Sequence, residues 1–278
     1  MAVDALPLTA ALTNRLLGQP LVLLLDIDGT LAPIAPRPQD AAVPPETLAI
    51  VRDFAATPGV YVVVVSGRAV DDARRIVPAD RAWVIGNHGV ELGEPGRPAA
   101  PRADIAPYAQ AIALAAERVL AAFSNCDGVI IENKRWTISV HYRLASRAIV
   151  PRVIEQTAAV ARELDLLLTD GKEVLEIRPP IQVNKGTASI ELVERFHAFE
   201  KSGSVLCAGD DRTDEDMFRS VRSRDPRAVT VRVAPHRETI AAIDAPDALD
   251  TFAEFRVDDP DAVRELLAAV FAIRAAPP

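Results

Sequence analysis

Leu21-Val22-Leu23-Leu24-Leu25-Asp26-Ile27-Asp28-Gly29-Thr30 is the stretch that decides the fold. Five apolar residues run on without a polar break, as in a strand buried on both faces of a parallel sheet. The run ends on two carboxylates two residues apart, and Gly29 lets the chain turn sharply behind them. Working outward, residues 44–57 predict a helix that opens on proline and stops at Pro58-Gly59. Residues 60–66 (VYVVVVS) predict a second buried strand, 69–77 a helix and 82–86 a short strand. Strand, helix, strand, helix in that order predicts an α/β fold with a doubly wound, Rossmann-like parallel sheet.

The pattern changes after a Pro- and Gly-rich stretch at 93–107. A helix over 106–124, two alternating strands at 128–133 and 136–143, a helix over 146–164 and strands at 166–169 and 173–178 predict an α+β module. Pro179-Pro180 closes it. From Lys185 the pattern returns to helix, the strand SVLCAG, a helix, the strand VTVRVA and a terminal helix from about 260. The expected organisation is one core built from residues 1–104 and 181–278, interrupted by an inserted α+β cap over 105–180.

Composition narrows the function classes. The chain has 278 residues, 49% of them hydrophobic, enough for a buried core and too many for a disordered chain. With 31 basic and 39 acidic residues the net charge is -8, so the global basic footprint of a nucleic-acid binder is absent. Cys126 and Cys207 cannot form a disulfide framework and read as buried free thiols. There is no basic, apolar leader pattern and no apolar run of roughly 20 residues, so a cytoplasmic location without membrane attachment is the default expectation. A monomer acting on a small molecule is the default assembly.

Four pieces carry chemistry. Asp26 and Asp28 follow the first strand, where the ligand crevice of an open α/β sheet lies. One carboxylate can attack while the other moves protons; a strand-end Asx turn is the plainer alternative. Ser66-Gly67-Arg68 follows the second strand, and its hydroxyl and guanidinium can hold phosphate, although Ser66 could also simply cap a helix. Lys185 opens a helix, where the dipole disfavours a cation, so an anion beside it would explain its place; an exposed surface lysine is the plainer alternative. The fourth piece, Gly209 to Asp216, holds five acidic residues. Asp210 and Asp211 at a strand end would repel Asp26 and Asp28 unless a hard cation intervened, and Mg2+ suits carboxylate, water and phosphate oxygens best. The four histidines lack zinc spacing.

Together these four pieces resemble the haloacid-dehalogenase superfamily of phosphohydrolases. Further motifs are similar to its trehalose-6-phosphate phosphatase family: Asn87-His88-Gly89, Glu132-Asn133-Lys134, His141-Tyr142-Arg143 and Gly171 to Pro179. The likeness spans roughly residues 21–235. It implies Mg2+-dependent hydrolysis of trehalose 6-phosphate, the last step of trehalose biosynthesis, through an aspartyl-phosphate. Asp26 would be the nucleophile and Asp28 the acid and base. Thr30, Ser66, Arg68 and Lys185 would bind phosphate. The metal would sit on Asp26, Asp28, Asp210 and Asp211. Glu132, Lys134, His141, Arg143, Lys172, Glu176 and Asn184 would bind sugar. Strand alternation agrees with one polar cap face, since Thr137, Ser139, His141 and Arg143 share a parity opposite to Trp136, Ile138, Val140 and Tyr142; a solvated outer face of a two-layer domain is the plainer alternative. The rivals are a phosphosugar mutase, a phosphatase of sucrose phosphate or mannosyl-glycerate phosphate, and a catalytically dead binding module.

Overall fold

The computed structural model describes residues 10–171, 173–233 and 251–275. The chain divides into two compact units, residues 1–99 with 183–278, and residues 100–182.

In chain order the first unit opens with α1 (Ala10–Leu16), β1 (Leu21–Leu25), α2 (Pro45–Ala56), β2 (Val60–Val65), α3 (Val70–Ile76), β3 (Trp83–Gly86) and β4 (Glu91–Gly93). The second unit holds the two-residue β5 (Ala100–Pro101), α4 (Ala109–Phe123), β6 (Ile130–Asn133), β7 (Ile138–His141), α5 (Val150–Glu163), β8 (Leu167–Gly171) and β9 (Val174–Arg178). The first unit resumes with α6 (Lys185–Arg195), β10 (Ser204–Gly209), α7 (Arg212–Arg224), β11 (Val229–Val233), β12 (Phe255–Val257) and α8 (Pro260–Ala275).

Across the core sheet the order runs β12-β11-β10-β1-β2-β3-β4, parallel except for β4 against β3. Every residue of β1 is buried, because β1 sits between β10 and β2 and both of its faces are covered. Leu21, Leu23 and Leu25 pack into a core shared with α1, α2 and α8. On α2 and α8, Phe54 and Phe271 meet edge to face at 5.1 Å. Helices α6 and α7 pack together on β3 and β10. The chain winds outward in both directions from the β1–β10 pair, so the doubly wound core has its switch point there.

The second unit is a four-stranded antiparallel sheet, β6-β7-β9-β8. Ile138, Val140, Leu175 and Ile177 pack on Ile112, Ala115, Val119 and Phe123 of α4 and on Val153 and Ala161 of α5. The face turned away from the helices is then set by register, and Glu132, Ser139, Glu176 and Thr169 form one row across it. This is an α+β architecture with helices on one face, inserted into an α/β core.

Element types agree with the sequence expectations, and boundaries move by a few residues. The expected helix over 106–124 begins at Ala109, behind a 3-10 turn over Ala103–Tyr108 that contains Pro107. Strands β4 and β12 were not expected; at three residues each, they carry too short a pattern to read alone. Cys207 is buried, whereas Cys126 is only half-buried, and both are free. Among the described residues no helix is long and apolar enough to cross a membrane.

Candidate active site

Three neighbouring parallel strands deliver the site. Asp26 directly follows β1, Ser66 follows β2 and Asp210 follows β10. Asp26 is 4% exposed and is tied to the next strand by its own amide, which donates to the Ala208 carbonyl at 3.1 Å. The chain then folds tightly, with the Gly29 amide donating to the Ala32 carbonyl at 2.7 Å. Gly29 has φ +83°, and a Cβ at that position would overlap the Asp210 carboxylate. Glycine is therefore required both for the turn and for the approach of Asp210.

Lys185, the first residue of α6, is buried and donates from Nζ to Asp26 Oδ1 at 2.8 Å and to Asp214 Oδ1 at 2.9 Å. Burial opposes its charge, but the carboxylates of Asp214 and Asp26 prevail and hold the ammonium well above its ordinary range. The lysine is thus not an exposed surface residue, and the anion beside it is a pair of aspartates. Burial pushes the Asp26 carboxyl up to about 7, although Lys185 pulls it down. Asp210 is also pushed well up, by burial and by the charges of Asp211 and Asp214.

Carboxylate oxygens of Asp26, Asp210 and Asp214 lie within 4.8 Å of one another. The donors of this cluster are hard carboxyl oxygens whose crowding a positive ion would relieve, a set that fits a hard divalent cation. The sequence left open whether Asp211 or Asp214 of the acidic run lies at the metal position, and it is Asp214 that groups with Asp26 and Asp210. Asp214 Oδ2 accepts from the amides of Asp210 and Asp211, both at 3.1 Å, so it also shapes the loop. Asp211 is the N-cap of α7, accepting from the Thr213 and Asp214 amides. The Asp211-x-x-Asp214 spacing is a capping-box pattern, and that signal separates the two roles.

Thr30 and Ser66 are both buried, and Thr30 Oγ1 has no hydrogen-bond partner among the described residues. Ser66 Oγ accepts from the Arg68 amide at 3.2 Å. Arg68 turns to Asp28: Nε donates to Oδ2 at 2.6 Å and Nη2 to Oδ1 at 2.8 Å. Its Nη1 donates to Asp72 Oδ2 at 2.7 Å. Behind this loop, Asn87 and His88 both have positive φ, and their amides donate to the carbonyls of Arg68 and Ser66. Buried Glu91 Oε2 accepts from the Val70 amide and from Asn87 Nδ2, anchoring the start of α3 to the same loop. Asn184, expected to touch sugar, caps α6 with its side chain.

In the second unit, Glu176 is 9% exposed and accepts on Oε1 from Lys134 Nζ and Ser139 Oγ, both at 3.3 Å. His141 Nε2 lies 3.2 Å from Glu132 Oε2. Glu132, Lys134, His141 and Glu176 therefore gather on the polar side of the sheet. Arg143 lies beyond the other end of β7 and pairs with Glu173 at 3.5 Å. Lys172 lies outside the described residues.

Comparison with known proteins bears on this arrangement. A family model described as trehalose-phosphatase matches residues 24–249. A "Trehalose-phosphate phosphatase" of Mycobacterium avium (strain 104) is 34% identical over 244 residues, covering 86% of this chain and 61% of that protein. An "Uncharacterized glycosyl hydrolase" of Mycobacterium tuberculosis (strain CDC 1551 / Oshkosh) is 33% identical over 222 residues, 79% of this chain but 17% of that protein. The chain thus spans less than two thirds of these relatives' own length. The solved structure of a "trehalose-6-phosphate phosphatase related protein" superposes with a TM-score of 0.76 at 23% identity, covering 91% of this chain and 97% of that one, which concerns the fold. On the strength of the family match over most of its length, the chain belongs to the trehalose-phosphatase family.

Proposed function

We propose that the protein hydrolyses trehalose 6-phosphate to trehalose and inorganic phosphate. The observation that carries the reading is the buried Asp26 carboxylate at the end of β1, held by Lys185 and crowded by Asp210, in a chain of this family.

Asp26 attacks phosphorus; the new Asp26 O–P bond forms as the bond from phosphorus to the sugar oxygen breaks. Asp28 gives its proton to the leaving sugar oxygen, then takes one from the water that hydrolyses the aspartyl-phosphate. Splitting one displacement into two lowers each barrier, and such proton transfer contributes about 10²- to 10⁴-fold. Lys185 holds Asp26 in place and offsets its charge as the phosphate dianion approaches. The Thr30 hydroxyl, buried and without a partner among the described residues, and Ser66 are suited to phosphate oxygens. The Asp26 and Asp210 carboxylates, with the Asp28 main-chain carbonyl, would hold Mg2+, and Asp214 would stand behind them. When bound, the ion supplies charge neutralisation and Lewis-acid polarisation of the phosphoryl group. We assign sugar recognition to Glu132, Lys134, His141 and Glu176, with Lys172 and Arg143 at the margins of that group.

The test is a panel of trehalose 6-phosphate, sucrose 6-phosphate, mannosyl-glycerate phosphate and glucose phosphates, with Mg2+ or with excess chelator. The expected result is phosphate release from trehalose 6-phosphate above all others, lost in chelator. Isomerised sugar phosphate without free phosphate would identify a mutase. Full turnover in chelator would remove the metal from the account.

A further inference from the structure

We infer that Arg68 and Asp72 act as a positioning pair for Asp28, and that the Arg68 guanidinium is not a phosphate ligand. The inference rests on the phosphatase reading, in which Asp28 moves the protons, and the clamp holds the carboxylate form, the one that takes a proton from water in the second step. Asp28 has a 36% exposed side chain on a tight turn, so burial does not fix its orientation. The Arg68 fork does, with two parallel hydrogen bonds of 2.6 and 2.8 Å, the bidentate geometry that specifies direction as well as charge. A phosphate could take this edge of the guanidinium only by displacing Asp28.

The clamp is itself held from behind. Nη1 of Arg68 donates to Asp72 Oδ2 at 2.7 Å, and Asp72 Oδ1 accepts from Arg75 Nη2 at 2.7 Å and from Nε at 3.1 Å. Charges alternate along the line Asp28, Arg68, Asp72 and Arg75. The Arg68 main chain is fixed too, its amide donating to Ser66 Oγ and its carbonyl accepting from the Asn87 amide. Asp72 lies on the first turn of α3, so a helix seated on the sheet sets the guanidinium plane and, through it, the carboxylate. Proton transfer is sensitive to such placement: an error of about 1 Å can lower a rate roughly 10²-fold.

The experiment uses the full chain with Mg2+ and trehalose 6-phosphate, and inorganic phosphate as a competitive inhibitor. Asp72→Ala is expected to lower kcat about 10-fold, inside the range set by misplacement, with the inhibition constant for phosphate unchanged. Asp72→Asn should recover most of the loss, because its amide oxygen can still accept from Arg68 Nη1. Arg68→Ala should fall further in kcat, again with unchanged phosphate inhibition, and stands in if Asp72→Ala does not fold. Weaker phosphate inhibition in step with the kcat loss would mean that Arg68 binds phosphate, and an unaltered kcat in Asp72→Ala would remove Asp72; either result overturns the inference. If the wild-type chain released no phosphate from trehalose 6-phosphate, the phosphatase reading would itself have failed, which is a separate outcome.

Discussion

Lys185 carries its charge into a site where only 2% of its side chain meets solvent. It can do so because Asp26 and Asp214 each accept from it within 2.9 Å. Removing one partner of such a group leaves the others as buried, unpaired charges, which typically costs about 3–5 kcal/mol. Lys185→Met is therefore expected to lose about 3 kcal/mol or more at neutral pH, measured by urea denaturation, besides losing turnover. A stability within about 0.5 kcal/mol of wild type, the range of an indifferent surface change, would show that the aspartates do not need this cation. The sequence marked the lysine as unusual, since a cation opening a helix is better placed beside an anion, but did not exclude an exposed surface residue. Which anion was not legible, because Asp26 and Asp214 lie 159 and 29 residues away. The partners of Arg68 were not legible for the same reason: a guanidinium at a strand end suits phosphate and carboxylate alike, and only the fold brings Asp28 and Asp72 to it.

At the scale of elements, alternation in β7 and β9 does what a two-residue period allows: apolar residues face α4 and α5, polar ones face away. The sequence thus disclosed the two faces, while the cross-strand neighbours came only with the register. Glu176 stands opposite Ser139 and takes Lys134 as its ion-pair partner. If this row reads sugar, Glu176→Ala should cut kcat/KM for trehalose 6-phosphate roughly 10- to 150-fold, the worth of a hydrogen bond to a charged group. Hydrolysis of a small aryl phosphate should stay nearly unchanged. Equal loss on both substrates would make Glu176 a support of the fold rather than a sugar contact. Loss of remote contacts that help only the larger substrate would lower kcat as well as raise KM.

Across the core unit, contacts between residues distant in the chain close the fold around the switch point. Arg15 on α1 donates to both carboxylate oxygens of Glu254, which also accepts from Arg222 on α7. The buried runs of β1, β2 and β10 were legible because strands covered on both faces need unbroken apolar sequence. The edges were not, since β4 and β12 are three-residue strands whose pairing depends on a neighbour already in place. All of this scaffolding converges on one carboxylate, and the most direct measurement addresses it. Trehalose and inorganic phosphate are quantified together from trehalose 6-phosphate and Mg2+, with the wild-type chain and with Asp26→Asn, whose thermal unfolding is recorded alongside. The account predicts equimolar products from the wild type and none from an Asp26→Asn protein that unfolds as a native chain does. Substantial turnover by a folded Asp26→Asn protein would contradict it.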